Sequence, residues 1–83
     1  MMARATQLLF PDSEFLIALW WQMSPEKRNQ AFSTSKQIAG KLGVSDTHAR
    51  NLAREGMPGA IKPCGRLQFH NETVYEWMKH RQN

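Results

Sequence analysis

Apolar residues first cluster in an unbroken run, Phe15-Leu16-Ile17-Ala18-Leu19-Trp20-Trp21, and beyond it they recur with a period. In front of the run, Pro11-Asp12-Ser13-Glu14 reads as a helix start, with a capping side chain and an acid in the first turn. A helix that is apolar all round has to be covered on more than one side. Ser24-Pro25-Glu26 repeats the start signal, serine as cap and proline at the first helical position, for a short polar helix to about Ala31. Thr34 followed three residues on by Gln37 has the spacing of a reciprocal capping box. Ile38, Ala39 and Leu42 give the helix behind it one apolar face, and Gly43 ends it because glycine accepts the left-handed conformation. Val44 fills the corner and Ser45 can cap the next helix, whose apolar stripe is Ala49, Leu52 and Ala53. Gly56 closes that helix and Pro58-Gly59 breaks the chain.

From Ala60 the period changes to two. Ile61, Leu67 and Phe69 flank Lys62-Pro63-Cys64-Gly65-Arg66, in which Pro-Cys-Gly makes a credible tight turn, so one short hairpin is expected. Asn71 then caps a last helix, Glu72 to about Arg81, that buries Val74, Trp77 and Met78. The pattern predicts a mainly α fold with one short β-hairpin. A helix-turn-helix followed at once by a hairpin is a winged helix-turn-helix, spanning about Ser33 to Arg81. Residues 1–31 form an N-terminal helical extension and residues 32–83 the domain proper. A chain of 83 residues has room for one modest core. It buries only about 60–65% of the surface its unfolded form exposes, so self-association is a natural remedy for marginal stability.

Charge sharpens the picture. The net charge is +4, and Arg4, Lys27 and Arg28 balance Asp12, Glu14 and Glu26 within residues 1–31. All the excess therefore lies from Phe32 onward, where it suits a polyanionic partner. The single cysteine, Cys64, precludes an internal disulfide and points to a reducing compartment, so a cytoplasmic location is expected. The run Phe15–Trp21 is too short to span a bilayer, lacks the flanks of a signal peptide, and has no polybasic cluster beside it; no membrane role is expected. Cys64, His48, His70 and His80 show no tight zinc-ligand spacing, so neither a metal nor a cofactor is expected. Paired carboxylates, a glycine-rich phosphate loop and a Ser-His-Asp order are missing, which argues against an enzyme.

A helix-turn-helix needs a small residue at the helix crossing, a turn glycine and an apolar corner residue, and Ala39, Gly43 and Val44 occur in that order. The second helix would then turn Ser45, Asp46, Thr47, His48, Arg50, Asn51 and Arg54 toward a major groove, which is wide enough for one helix. Arginine suits guanine, asparagine suits adenine, and threonine suits a methyl group or a phosphate. The stretch from Thr34 to Ser45, then Leu52-Ala-Arg-Glu-Gly-Met-Pro58, then Gly65-Arg66 and a final helix with Trp77, resembles the excisionase and MerR-type winged helix. Its Glu-Gly-Met-Pro step is also similar to the DNA-recognition domain of phage terminase small subunits. The resemblance covers about 50 residues and implies DNA-reading roles for Thr47, His48, Arg50, Asn51 and Arg54, with Lys62 and Arg66 on a wing that grips the backbone. Asp46 and His48 depart from the family pattern, and the long dimerisation helix of the MerR regulators is missing. Ser45 joins the reading helix as its cap, and Lys36 on the first helix is a weaker backbone contact.

The expected function is sequence-specific binding of double-stranded DNA, by an excisionase-like architectural factor or a transcription regulator. One alternative is the DNA-recognition subunit of a genome-packaging complex; another is a protein-binding adaptor on the same fold. Expected partners are duplex DNA and a recombinase, polymerase or packaging protein. The extension carries more apolar residues than one face needs, Leu8, Leu9, Phe10 and Met23 among them. They thicken the core, form a homodimer through residues 8–23, or dock a partner protein.

Overall fold

The computed structural model describes residues 10–82, so Leu8 and Leu9 lie outside the described residues. The described chain is mostly helical. Helices α1 (Ser13–Gln22) and α2 (Pro25–Ala31) lead into strand β1 (Phe32–Thr34). Helices α3 (Ser35–Leu42) and α4 (Asp46–Arg54) follow, then strands β2 (Ala60–Ile61) and β3 (Gln68–His70), then α5 (Asn71–Gln82).

The helix starts fall where the sequence signals place them. Asp12 caps α1, its Oδ1 accepting from the Phe15 amide at 2.9 Å, and Ser24 caps α2. Thr34 and Gln37 form both halves of the capping box on α3: Gln37 N–H donates to Thr34 Oγ1 at 3.2 Å and Thr34 N–H to Gln37 Oε1 at 3.0 Å. Gly43 stops α3 at φ 72°, with the Val44 amide reaching back to the Ala39 carbonyl at 3.0 Å. The end of α4 repeats that closure through Gly56 and the Met57 amide on the Leu52 carbonyl at 3.1 Å. In both places the residue after the glycine is apolar and packs into the core, which fixes how the chain leaves the helix.

The expected hairpin is present but is not the whole sheet. Phe32–Thr34 adds a third strand, antiparallel to β3, giving the order β1-β3-β2. Directly paired residues of an antiparallel ladder share a face. Ser33, Phe69 and Ala60 therefore turn to one side of the sheet, and Phe32, His70, Ile61 and Gln68 to the other. The first side carries the main core: Phe69 with Ile38, Ala39, Ala49, Leu52, Met57 and Val74. The second side carries Phe32 and Ile61, covered by Leu16 of α1 with Ile17, Leu19, Trp20 and Met23 around it. Residues 13–22 thus roof the face of the sheet that the other helices leave open.

That roof explains only part of the apolar run. Leu16 is fully buried, but Phe15 and Trp21 stay 59% and 57% exposed, so α1 is covered over one broad face rather than all round. Arg28 fixes the corner between α1 and α2. Its Nε donates to the Trp20 carbonyl at 2.7 Å, and its guanidinium lies 4.9 Å from the Trp20 ring centroid and 5.4 Å from that of Trp21.

Asn71 has a different task from the expected cap. Its Oδ1 accepts from the buried Ser33 hydroxyl at 2.6 Å and its Nδ2 donates to the Gln30 carbonyl at 3.1 Å, so it pins α5 to β1 and to the end of α2. Of the three core residues expected on α5, Val74 is fully buried while Trp77 and Met78 are half-buried. Gly59 is the glycine most closely approached by other side chains. It holds φ 95°, and a Cβ there would meet the Thr73 and Val74 side chains at 3.2 Å, so β2 can run hard against the start of α5. His70 sits at that start, tilted against Phe32 with its Nδ1 2.7 Å from Thr73 Oγ1. Burial lowers its pKa below the ordinary value, against an opposing pull from Glu72. Among the described residues no helix is long and apolar enough to cross a membrane.

Candidate nucleic-acid interface

Helix α4 turns Ala49 and Leu52 into the core. Residues 47, 50, 51 and 54 follow the i, i+3, i+4, i+7 spacing of one helical face, so Thr47, Arg50, Asn51 and Arg54 share the side away from the core. Thr47, Arg50 and Arg54 are exposed and Asn51 is half-buried. His48 is exposed but lies off this stripe. Ser45 is committed as the cap of α4, its Oγ accepting from the His48 amide at 3.0 Å.

A cleft of about 740 Å³ opens between α4 and the β2–β3 hairpin. Arg50 and Arg54 line one wall and Lys62 and Arg66 line the other, and no carboxylate lines it. Two remote stretches of sequence, the end of α4 and the hairpin loop, are thereby brought face to face with four cations between them. The rest of the charge from residue 32 onward is placed elsewhere. Lys79 pairs with Glu76 at 3.4 Å, Arg81 lies 4.8 Å over Trp77, and Lys41 Nζ donates to Ser33 Oγ at 3.3 Å. Lys36 is exposed on α3 and is not part of the cleft wall, and neither are Ser45, Thr47, His48 and Asn51.

The cleft also holds residues that sequence reasoning did not select. Ser35 opens α3, Gln68 opens β3, and Ser13 and Ile17 reach in from α1, so the N-terminal helix forms part of the same surface. Nothing in their local spacing marks them. They are brought in by the sheet, whose second face carries α1 on one side and Gln68 and Ile61 beneath it.

Arg50 is the most constrained of the cleft cations. Its Nη2 lies 3.1 Å from Asp46 Oδ2 and its Nε lies 3.5 Å from Ser35 Oγ. Asp46 Oδ1 is shielded from solvent and has no hydrogen-bond partner. Cys64 is exposed in the hairpin loop, and among the described residues no group of three or more histidine, cysteine, aspartate or glutamate side chains is gathered as for a metal. Comparison of the chain with family models, with curated proteins and with solved structures finds no match.

Proposed function

We propose that the chain binds double-stranded DNA in a sequence-specific manner as a winged helix-turn-helix, with α3 and α4 as the helix pair and the β2–β3 hairpin as the wing. The observation that carries this reading is the cleft in which Arg50, Arg54, Lys62 and Arg66 converge, with no acid on its walls and Asp46 paired to Arg50 from beside them. With α4 in the major groove, one phosphate strand would run between the helix and the hairpin, where Lys62 and Arg66 face it from the hairpin and Arg54 from α4, leaving Arg50 to reach a base edge. Thr47 and Asn51, on the outward stripe but outside the cleft, would be free to reach base edges. The sheet order β1-β3-β2 adds support, because a strand before the helix pair that joins the hairpin holds the wing at a fixed height beside α4. Such a module serves an excisionase-like architectural factor or a transcription regulator, with a genome-packaging subunit as the second biological setting. The protein-binding adaptor has no observation in its favour comparable to the cation cleft.

Selection from a pool of randomised duplexes tests the reading. The wild-type chain should enrich a defined sequence. Arg50→Ala and Asn51→Ala should each lose about 1–3 kcal/mol on that sequence and less on random DNA. No enrichment, or equal losses on both, would reduce the interface to non-specific phosphate contact.

A second copy is the partner we propose for the face of α1 that leaves Phe15 and Trp21 exposed. Two copies joined there would suit a two-fold site, whose half-sites lie roughly 34 Å apart on successive turns of the major groove. Sedimentation should show a dimer at micromolar concentration that Phe15→Ser with Trp21→Ser dissociates. A monomer of the wild-type chain at that concentration removes the proposal.

A further inference from the structure

The geometry points to Asp46 as a positioning residue that sets base specificity by fixing the guanidinium of Arg50 for a guanine. The inference rests on the duplex-binding reading of the same site and adds to it the base and the residue that enforces it.

An acid at the start of a DNA-facing helix is at first sight a liability, since it repels phosphate. Here its placement gives it another role. Asp46 and Arg50 stand one turn apart on α4, and Asp46 Oδ2 holds Arg50 Nη2 at 3.1 Å. Ser35 Oγ, from the start of α3, approaches Arg50 Nε at 3.5 Å. The planar guanidinium is thus held at two of its nitrogens, from two helices. Nη1 and the second hydrogen of Nη2 would then be left for a ligand. That pair is the fork that guanine O6 and N7 accept in the major groove.

Asp46 Oδ1 is shielded from solvent and has no hydrogen-bond partner, so the carboxylate meets Arg50 through Oδ2 alone. The ion pair adds little to stability. Both side chains are substantially exposed, at 59% for Arg50 and 38% for Asp46, and exposed pairs of this kind contribute little to folding. What the pair does supply is direction: an arginine otherwise free to seek any phosphate is kept in one orientation.

The two roles an acid can have here move specific and non-specific binding in opposite directions. Asp46→Ala frees Arg50 and removes a negative charge from the DNA-facing surface. Affinity for random duplex should stay level or rise a few-fold, while the preference for guanine at one position of the selected site should fall about tenfold. Asp46→Asn keeps an acceptor of the same shape and should retain part of the preference. Both variants should melt within about 5 °C of the wild type, which separates the effect from unfolding.

The experiment is duplex selection with wild type, Asp46→Ala and Asp46→Asn, followed by binding to the selected and to random sequences. A guanine in the wild-type site whose enrichment collapses in Asp46→Ala, with random binding preserved, is the expected result. A guanine equally enriched in both chains overturns the inference while leaving the duplex-binding reading intact. So does a lost cytosine preference, which would make Asp46 itself the reader of a base, and so does an equal loss on both kinds of DNA. A wild-type chain that binds no duplex overturns both.

Discussion

Phe69→Ala is expected to cost about 3–5 kcal/mol of folding stability, which is a large share of what a domain of this size has. Phe69 is fully buried at the centre of β3, the strand that both other strands need. Its register partners are Ser33 on one side and Ala60 on the other, both too small to fill the space its ring would leave. The neighbours that would have to collapse inward, Ile38, Ala49 and Val74, are already fully buried on separate helices. The surrounding structure can therefore relax only partly, and the cavity cost adds to the lost transfer energy. Thermal melting should shift down by more than about 12 °C, because a kilocalorie corresponds to about 4–8 °C in a chain this short. A variant that melts within a few degrees of the wild type would mean that the sheet does not hold the core together as described.

What could be read from the chain alone depended on how far each signal had to act. Helix caps and stops are local. Asp12, Ser24, Thr34 with Gln37, Gly43, Ser45 and Gly56 each act within five residues, and each sits where its element begins or ends. The strand at Phe32–Thr34 has no such signal. It is three residues long, wedged between two helices, and becomes a strand only because β3, far along the chain, pairs with it. Asn71 carries a cap's side chain but spends it on Ser33 and Gln30, partners that sequence spacing cannot anticipate. The run Phe15–Trp21 was legible as something needing cover, but not as the roof of one sheet face that leaves Phe15 and Trp21 outside.

The candidate site divides along the same line. The stripe of Thr47, Arg50, Asn51 and Arg54 follows from helical periodicity, and the place of Lys62 and Arg66 beside a tight turn follows from the hairpin pattern. Their convergence on one cleft, the entry of Ser13 and Ile17 from α1, and the hold of Asp46 and Ser35 on Arg50 all require the tertiary fold. Charge type was legible; charge geometry was not.

The hairpin cations give the second large effect. Lys62 and Arg66 are exposed in the loop between β2 and β3, outside the paired residues, so replacing both with alanine should leave folding unaffected to within about 0.5 kcal/mol. Their effect should fall on DNA binding and on its salt dependence. Each phosphate neutralised by a cation releases condensed counterions and adds about 0.9 to the slope of log affinity against log salt. Losing two such contacts should flatten that slope by about 2, and at about 0.1 M salt it should weaken binding on the order of 50-fold. Because phosphates carry no base identity, the loss should be the same on the selected sequence and on random duplex, unlike the loss from Arg50→Ala. Lys79→Ala, which removes a cation on α5 that pairs with Glu76 and lies outside the cleft, serves as the reference for a charge change away from the bound strand. A double variant whose affinity and salt slope match those of the wild type would show that the hairpin does not reach the backbone. In that case α4 alone would make the contact, and the wall formed by Lys62 and Arg66 would have no part in holding the duplex.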